Sequence, residues 1–148
     1  MRTVHGNEHM EEEARIFVDA LEPVSGAARV ITLSGDLGAG KTTFVKGMAR
    51  ALGIEEHVTS PTFVIMKIYQ LSGQKFQRLV HIDAYRLKGM HHLKVLGWEK
   101  LIEDPRNLIC IEWPEKIEGA IPGDAIRISL SYSDEHTREI LYGNKKDN

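Results

Sequence analysis

The sequence predicts an α/β fold in three layers, built on a central, mostly parallel sheet with antiparallel additions around a phosphate-binding P-loop. Three observations predict it. The stretch Gly35-Asp36-Leu37-Gly38-Ala39-Gly40-Lys41-Thr42 fits G-x-x-x-x-G-K-[ST] at every fixed position. Val30-Ile31-Thr32-Leu33, just upstream, is β-branched and apolar, as a buried strand should be. Downstream, Phe44, Met48 and Leu52 recur every four residues with Val45 and Ala49 beside them, which gives a helix its apolar stripe.

Strand, glycine loop and helix thus come in the order that a nucleotide-binding loop needs. Gly53 stands where a left-handed helix cap is wanted. The glycines let the backbone wrap tightly, with N–H groups turned inward toward phosphate oxygens. The partial positive charge of the helix N-terminus adds to them. Gly38, Ala39, Gly40, Lys41, Thr42 and Thr43 are therefore the expected phosphate-binding residues. Lys41 can set a compact charge against the β- and γ-phosphates, and the Thr42 hydroxyl can ligate Mg2+.

The remaining elements are read from periodicity and punctuation. Met10, Ala14, Phe17 and Leu21 mark an amphipathic first helix, with Glu11, Glu12 and Glu13 near its start and Pro23 and Gly26 closing it. Ser60-Pro61-Thr62 reads as a loop before a strand from Phe63 to Tyr69. A turn at Ser72-Gly73-Gln74 and a second strand from Phe76 to Ile82 make a hairpin. Leu93 and Leu96, then Trp98, Leu101 and Ile102 across Gly97, form a short helical region that Asp104-Pro105 stops. Leu108-Ile109-Cys110-Ile111 reads as a buried central strand ending in Glu112, and Pro114 and Gly119 punctuate the next segment. Ala125 to Leu130 alternates apolar with polar, and Arg138 to Tyr142 is its expected hairpin partner.

At 148 residues the chain suits one P-loop domain over residues 1–148, with a frayed tail at 143–148. The formal net charge of −2 argues against a strongly basic nucleic-acid surface of its own. No apolar run approaches a membrane span, and the polar, acidic stretch from Met1 to Glu13 is unlike a signal peptide. Cys110 reads as a small buried hydrophobe, and a lone cysteine forms no disulfide within the chain. The expected compartment is the cytoplasm.

Nucleoside triphosphate chemistry needs a carboxylate at the metal, at the end of a strand near the P-loop strand. Glu112, closing the most apolar strand, is the expected Mg2+ partner of Thr42. Asp83, ending Leu79-Val80-His81-Ile82, is the second candidate: a base, a water-positioning group or a partner behind the metal ligands. Thr59, Ser60 and Thr62 form a hydroxyl-rich loop of the kind that senses a γ-phosphate, or a plain strand-entry turn. His81, beside an acid, reads as a hydrogen-bonded structural residue, with a proton shuttle as the alternative. His91 and His92 are adjacent and lack a third ligand for zinc. Arg86 reaches toward phosphate or partner, or makes a surface ion pair. Trp113 shields the site or fills the core. Asn144-Lys145-Lys146-Asp147 mimics a guanine-reading motif, but no D-x-x-G accompanies it and it reads as solvated tail.

Taken together, Gly35 to Thr43, Ser60-Pro61-Thr62-Phe63, His81-Ile82-Asp83-Ala84-Tyr85-Arg86-Leu87 and Ile111-Glu112-Trp113-Pro114 resemble the ordered signature of the TsaE (YjeE) family. The resemblance covers the chain from about Val30 to Glu115; the N-terminal threonine usual in that family is replaced near Glu11. These are small bacterial ATPases required for threonylcarbamoyl modification of the adenosine beside the anticodon in some tRNAs. The resemblance implies an ATP·Mg2+ site in which Thr42 and Glu112 serve the metal. It implies hydrolysis that is slow alone and stimulated within an assembly containing a TsaD-like transferase subunit and a TsaB-like subunit. That assembly would hold the tRNA, and this chain would supply its nucleotide-driven reset. In such phosphoryl transfer to water Lys41 would stabilise charge on the phosphates, and Asp83 or a group on the Ser60–Phe63 loop would orient the attacking water. The alternative is a small P-loop kinase acting on a metabolite. Such enzymes carry an arginine-rich lid, whereas Arg78, Arg86 and Arg106 are scattered here.

Overall fold

A computed structural model describes residues 1–36, 38–56 and 65–143. Among these residues seven strands form one sheet: β1 (Arg2–His5), β2 (Arg29–Ser34), β3 (Met66–Gln70), β4 (Arg78–Asp83), β5 (Asn107–Glu112), β6 (Ile126–Asp134) and β7 (Thr137–Gly143). Their spatial order is β1-β7-β6-β2-β5-β4-β3. The centre is parallel, with β2 between β6 and β5 and β5 beside β4. The flanks are antiparallel through β3–β4, β6–β7 and β1–β7.

Alternation along the central strands builds the three layers, because successive side chains point to opposite faces. Ile31, Leu33, Leu79, Leu108 and Cys110 pack with Phe44, Val45 and Met48 of α2 (Lys41–Ala51) and with Met10, Ala14 and Val18 of α1 (Gly6–Ala20). Val30, Val80, Ile82, Ile109 and Ile111 face the other way. They meet Leu93 of α3 (Met90–Val95), Trp98 of α4 (Trp98–Glu103), Leu87 and Ile117. Central strands buried on both faces read as continuous apolar runs, and these do.

The two helices on the P-loop face lie close because Gly47 has no side chain. A Cβ there would stand 2.7 Å from the Glu11 Cα and 2.9 Å from the Ala14 Cβ. Gly53 takes φ +83 beyond the end of α2, as the expected cap requires.

Four details differ from the sequence reading. β1 was not expected; Val4 is its single buried residue, too little to leave a period-2 signal. The hairpin strands are shorter than expected, β3 beginning at Met66 and β4 at Arg78. Phe63, Val64 and the Thr59–Thr62 loop lie outside the described residues. The helical region after Gly89 is two separate helices, since Gly97 turns left-handed between them at φ +82. Gly143 closes β7 instead of opening the tail, and residues 144–148, with the guanine-like motif, lie outside the described residues.

Candidate functional site

β2 ends at Ser34 and the chain turns through Gly35 into the loop. Gly35 takes φ +151, and a Cβ there would stand 2.4 Å from the Leu130 carbonyl oxygen on the adjacent β6, so only glycine fits. Gly38 and Gly40 take φ +82 and +104, conformations that cost L side chains free energy. The Ala39 N–H donates to the Asp36 carbonyl at 3.0 Å, which closes the turn. Gly40 is the N-cap of α2 and supplies no capping side chain. The amides of the first helical turn therefore have no acceptor within their own helix.

Lys41 is 7% exposed. Its ammonium donates to the Gly35 carbonyl and lies 3.8 Å from the centre of the Trp113 ring. Burial pulls its pKa below the usual lysine value; Glu112, Glu115, Asp83 and Asp36 oppose that pull through their charge. Trp113 holds the unusual left-handed conformation φ 59, ψ 52, and its N–H donates to the Leu33 carbonyl at 3.3 Å. Its ring also meets that of Tyr85 at 5.1 Å. Trp113 is thus half-buried beside the loop, shielding the lysine and packing against the lower core at once.

The two expected carboxylates meet at the strand ends. Asp83 on β4 and Glu112 on β5 are register partners, and Glu112 also pairs with Leu33 of β2. Both are almost fully buried, at 3% and 2% exposure. Asp83 Oδ1 accepts from the Tyr85 N–H at 3.0 Å, capping the 3-10 turn Ala84–Arg86. Glu112 Oε2 lies 2.6 Å from His81 Nε2.

A cavity of about 540 Å3 brings these groups together. Gly38, Gly40, Lys41, Thr42 and Thr43 line it with Asp83, Glu112 and Trp113. It lies at the carboxyl ends of the parallel strands, where ligands of open α/β sheets bind. Two buried carboxylates, a hydroxyl at a helix start and one ammonium suit a divalent cation carried by a polyphosphate. Among the described residues no cluster of three histidine, cysteine or acidic ligands exists. A metal held by one or two protein oxygens plus phosphate, as Mg2+ usually is, matches that donor set.

Sequence reasoning missed the far wall. Gly6, Asn7 and Met10 of α1 and Glu135, His136 and Arg138 of the β6–β7 hairpin complete the cavity. Arg138 Nε donates to the Gly38 carbonyl at 3.0 Å, tying the loop to a hairpin 100 residues away in sequence. The Gly6 N–H donates to the His136 carbonyl at 2.8 Å, joining the two missed segments. No local motif signals such contacts, because they depend on where β7 comes to lie.

Other candidates fall away from the site. Arg78 and Arg106 both bind Asp104, at 2.5 and 2.8 Å, at the opposite end of β4 and β5 from the cavity. His91 is exposed on α3. Cys110 is buried with its thiol pKa pushed well up by burial, which suits a core residue. No described helix is long and apolar enough to cross a membrane.

Comparison with known proteins gives a consistent picture. The family model of TsaE, threonylcarbamoyl adenosine biosynthesis protein, matches residues 6–140. The tRNA threonylcarbamoyladenosine biosynthesis protein TsaE of Bacillus subtilis is 34% identical over 131 residues, covering 88% of this chain and 79% of that protein. The protein of the same name from Rickettsia typhi is 32% identical over 149 residues, covering 100% and 96%. That from Borreliella burgdorferi is 38% identical over 104 residues, covering 70% and 72%. The crystal structure of Bacillus subtilis YdiB superposes with a TM-score of 0.77 at 30% identity, covering 97% of this chain and 83% of that one.

Proposed function

The chain belongs to the TsaE family, and from that premise we propose that it is the ATP-hydrolysing subunit of tRNA threonylcarbamoyladenosine biosynthesis. In this reading it acts beside a TsaD-like transferase subunit and a TsaB-like subunit, which carry the modification chemistry and most of the tRNA contact. The observation that carries the reading is the convergence of Lys41, Thr42, Asp83 and Glu112 on one cavity beneath the glycine loop.

The chemistry is phosphoryl transfer to water, in which the protein positions and stabilises charge. The loop amides from Gly38 to Thr43 hold phosphate oxygens, and Lys41 exchanges the Gly35 carbonyl for a phosphate oxygen. Thr42 and Glu112 hold Mg2+, which when bound neutralises charge on the β- and γ-phosphates. Asp83, anchored by the Tyr85 amide, orients the attacking water. Partner proteins complete this arrangement, so turnover is slow without them. A cytoplasmic location fits the same role.

The test is tRNA modification over many cycles with purified partners. It should require both this chain and ATP hydrolysis, with inorganic phosphate as product. A phosphorylated small-molecule acceptor would instead indicate a kinase. An Asp83→Ala protein that keeps full partner-stimulated turnover would remove Asp83 from its role.

A further inference from the structure

We propose that His81 is the positioning residue for Glu112, its ring N–H fixing one carboxylate oxygen so that the other is presented to the divalent ion. The inference rests on the reading of Glu112 as a metal-holding group and extends it to a residue behind that group. His81 is 0% exposed and faces the α2 side of the sheet, between Leu79 and Asp83 on β4. It is the register partner of Cys110, two residues before Glu112 on β5. The 2.6 Å contact between Nε2 and Oε2 reflects that offset.

The contact also assigns the ring's proton. Carboxylate oxygens accept, so a bare Nε2 would set one lone pair against another at 2.6 Å. Nε2 therefore carries the hydrogen and donates to Oε2. Nδ1 is buried and has no hydrogen-bond partner among the described residues, so none of them turns the ring away. With Oε2 held, Oε1 is the oxygen left for the cavity that Glu112 lines. A buried imidazole whose one partner among the described residues is an acid is a costly filling for a core. Its return is a carboxylate in one orientation, and loss of such an outer partner typically weakens metal affinity by about 10–100-fold.

The test is calorimetric binding of a non-hydrolysable ATP analogue, measured with magnesium and again with EDTA. The quantity read is the gain in affinity that magnesium confers. His81→Phe should lower that gain by about 10–100-fold while leaving affinity in EDTA unchanged. His81→Gln, whose amide nitrogen can stand where Nε2 stands, should restore most of it. A His81→Phe protein with the full magnesium gain overturns the inference, as does a His81→Gln protein no better than His81→Phe. Glu112→Gln separates the two readings. If it keeps the magnesium gain, Glu112 is not the metal group and both fail; if it loses the gain while His81→Phe keeps it, this inference alone fails. In the unaltered protein, nitrogen NMR of the ring should find the proton on Nε2. A ring with Nε2 unprotonated overturns the proposal whether or not any variant folds.

Discussion

The Lys41 ammonium lies 3.8 Å from the centre of the Trp113 ring while donating to the Gly35 carbonyl of its own loop. The lysine that should grip phosphate is thus held between an aromatic face and a backbone oxygen. A cation over an indole gains about 0.5–2 kcal/mol, more as water is excluded. That stabilises the lysine within reach of a ligand without fixing it there.

That contact gives an optical prediction. Nucleotide binding that draws Lys41 off the indole should change Trp113 emission. The other tryptophan, Trp98, is buried at the start of α4, does not line the cavity and should report little. Trp98→Phe protein should therefore keep the fluorescence change on adding ATP and magnesium, and Trp113→Phe protein should lose it. The reverse pattern would show that Lys41 stays on the ring.

Gly47 yields a stability prediction with no functional component. Alanine there would push a Cβ to 2.7 Å from the Glu11 Cα, which is backbone and cannot swing aside. Overpacking of this kind costs about 1–3 kcal/mol. For a chain of this size each kcal/mol lowers Tm by about 2–4 °C. Thermal melts of Gly47→Ala should show that loss, and an unchanged Tm would mean that α1 and α2 separate freely.

How much was legible in the sequence is explained by range. Glu112 and Asp83 could be found because each closes an apolar strand, a signal contained within six residues. The P-loop carries its own glycine spacing. The His81–Glu112 contact could not be read, since it exists only once β4 and β5 lie in parallel register. Arg138 was invisible as a site residue for the same reason: its meaning comes from the Gly38 carbonyl, not from its neighbours on β7. The edge strand β1 escaped because a four-residue strand with only Val4 turned inward has no period to detect.

The ion cluster around Asp104 predicts a response to acid. Hydrogen bonds from the Arg106 side chain and backbone, with the nearby Arg78 charge, hold the Asp104 carboxyl down at about 2, against 3.8 ordinarily. A carboxyl lowered on folding stabilises the native state above its unfolded pKa, and the effect fades as pH falls through the folded value. The stability difference between the unaltered protein and Asp104→Asn should therefore be constant above about pH 4 and shrink toward about pH 2. Denaturant melts across that window would measure it. A difference independent of pH would remove the carboxylate charge as its cause.

Arg138 offers a last prediction, on the coupling between the hairpin and the nucleotide loop. Its Nε donates to the Gly38 carbonyl at 3.0 Å, while Nη1 donates to the carbonyls of Asp134 and Thr137 at 2.7 and 3.0 Å. The guanidinium thereby staples the loop to the β6–β7 turn, and its face rests 4.5 Å from the Tyr132 ring centre. One such hydrogen bond contributes about 0.5–1.5 kcal/mol net, so Arg138→Ala should weaken nucleotide binding by about 2–13-fold. Lysine should not restore it. A single ammonium on a flexible stem lacks the planar fork that reaches loop and turn together. The loss should fall on affinity and leave Tm nearly unchanged, because the contact lies on an exposed rim. Calorimetry on both variants decides the matter: full affinity in Arg138→Ala, or rescue by Arg138→Lys, would show that the loop holds its shape without the hairpin.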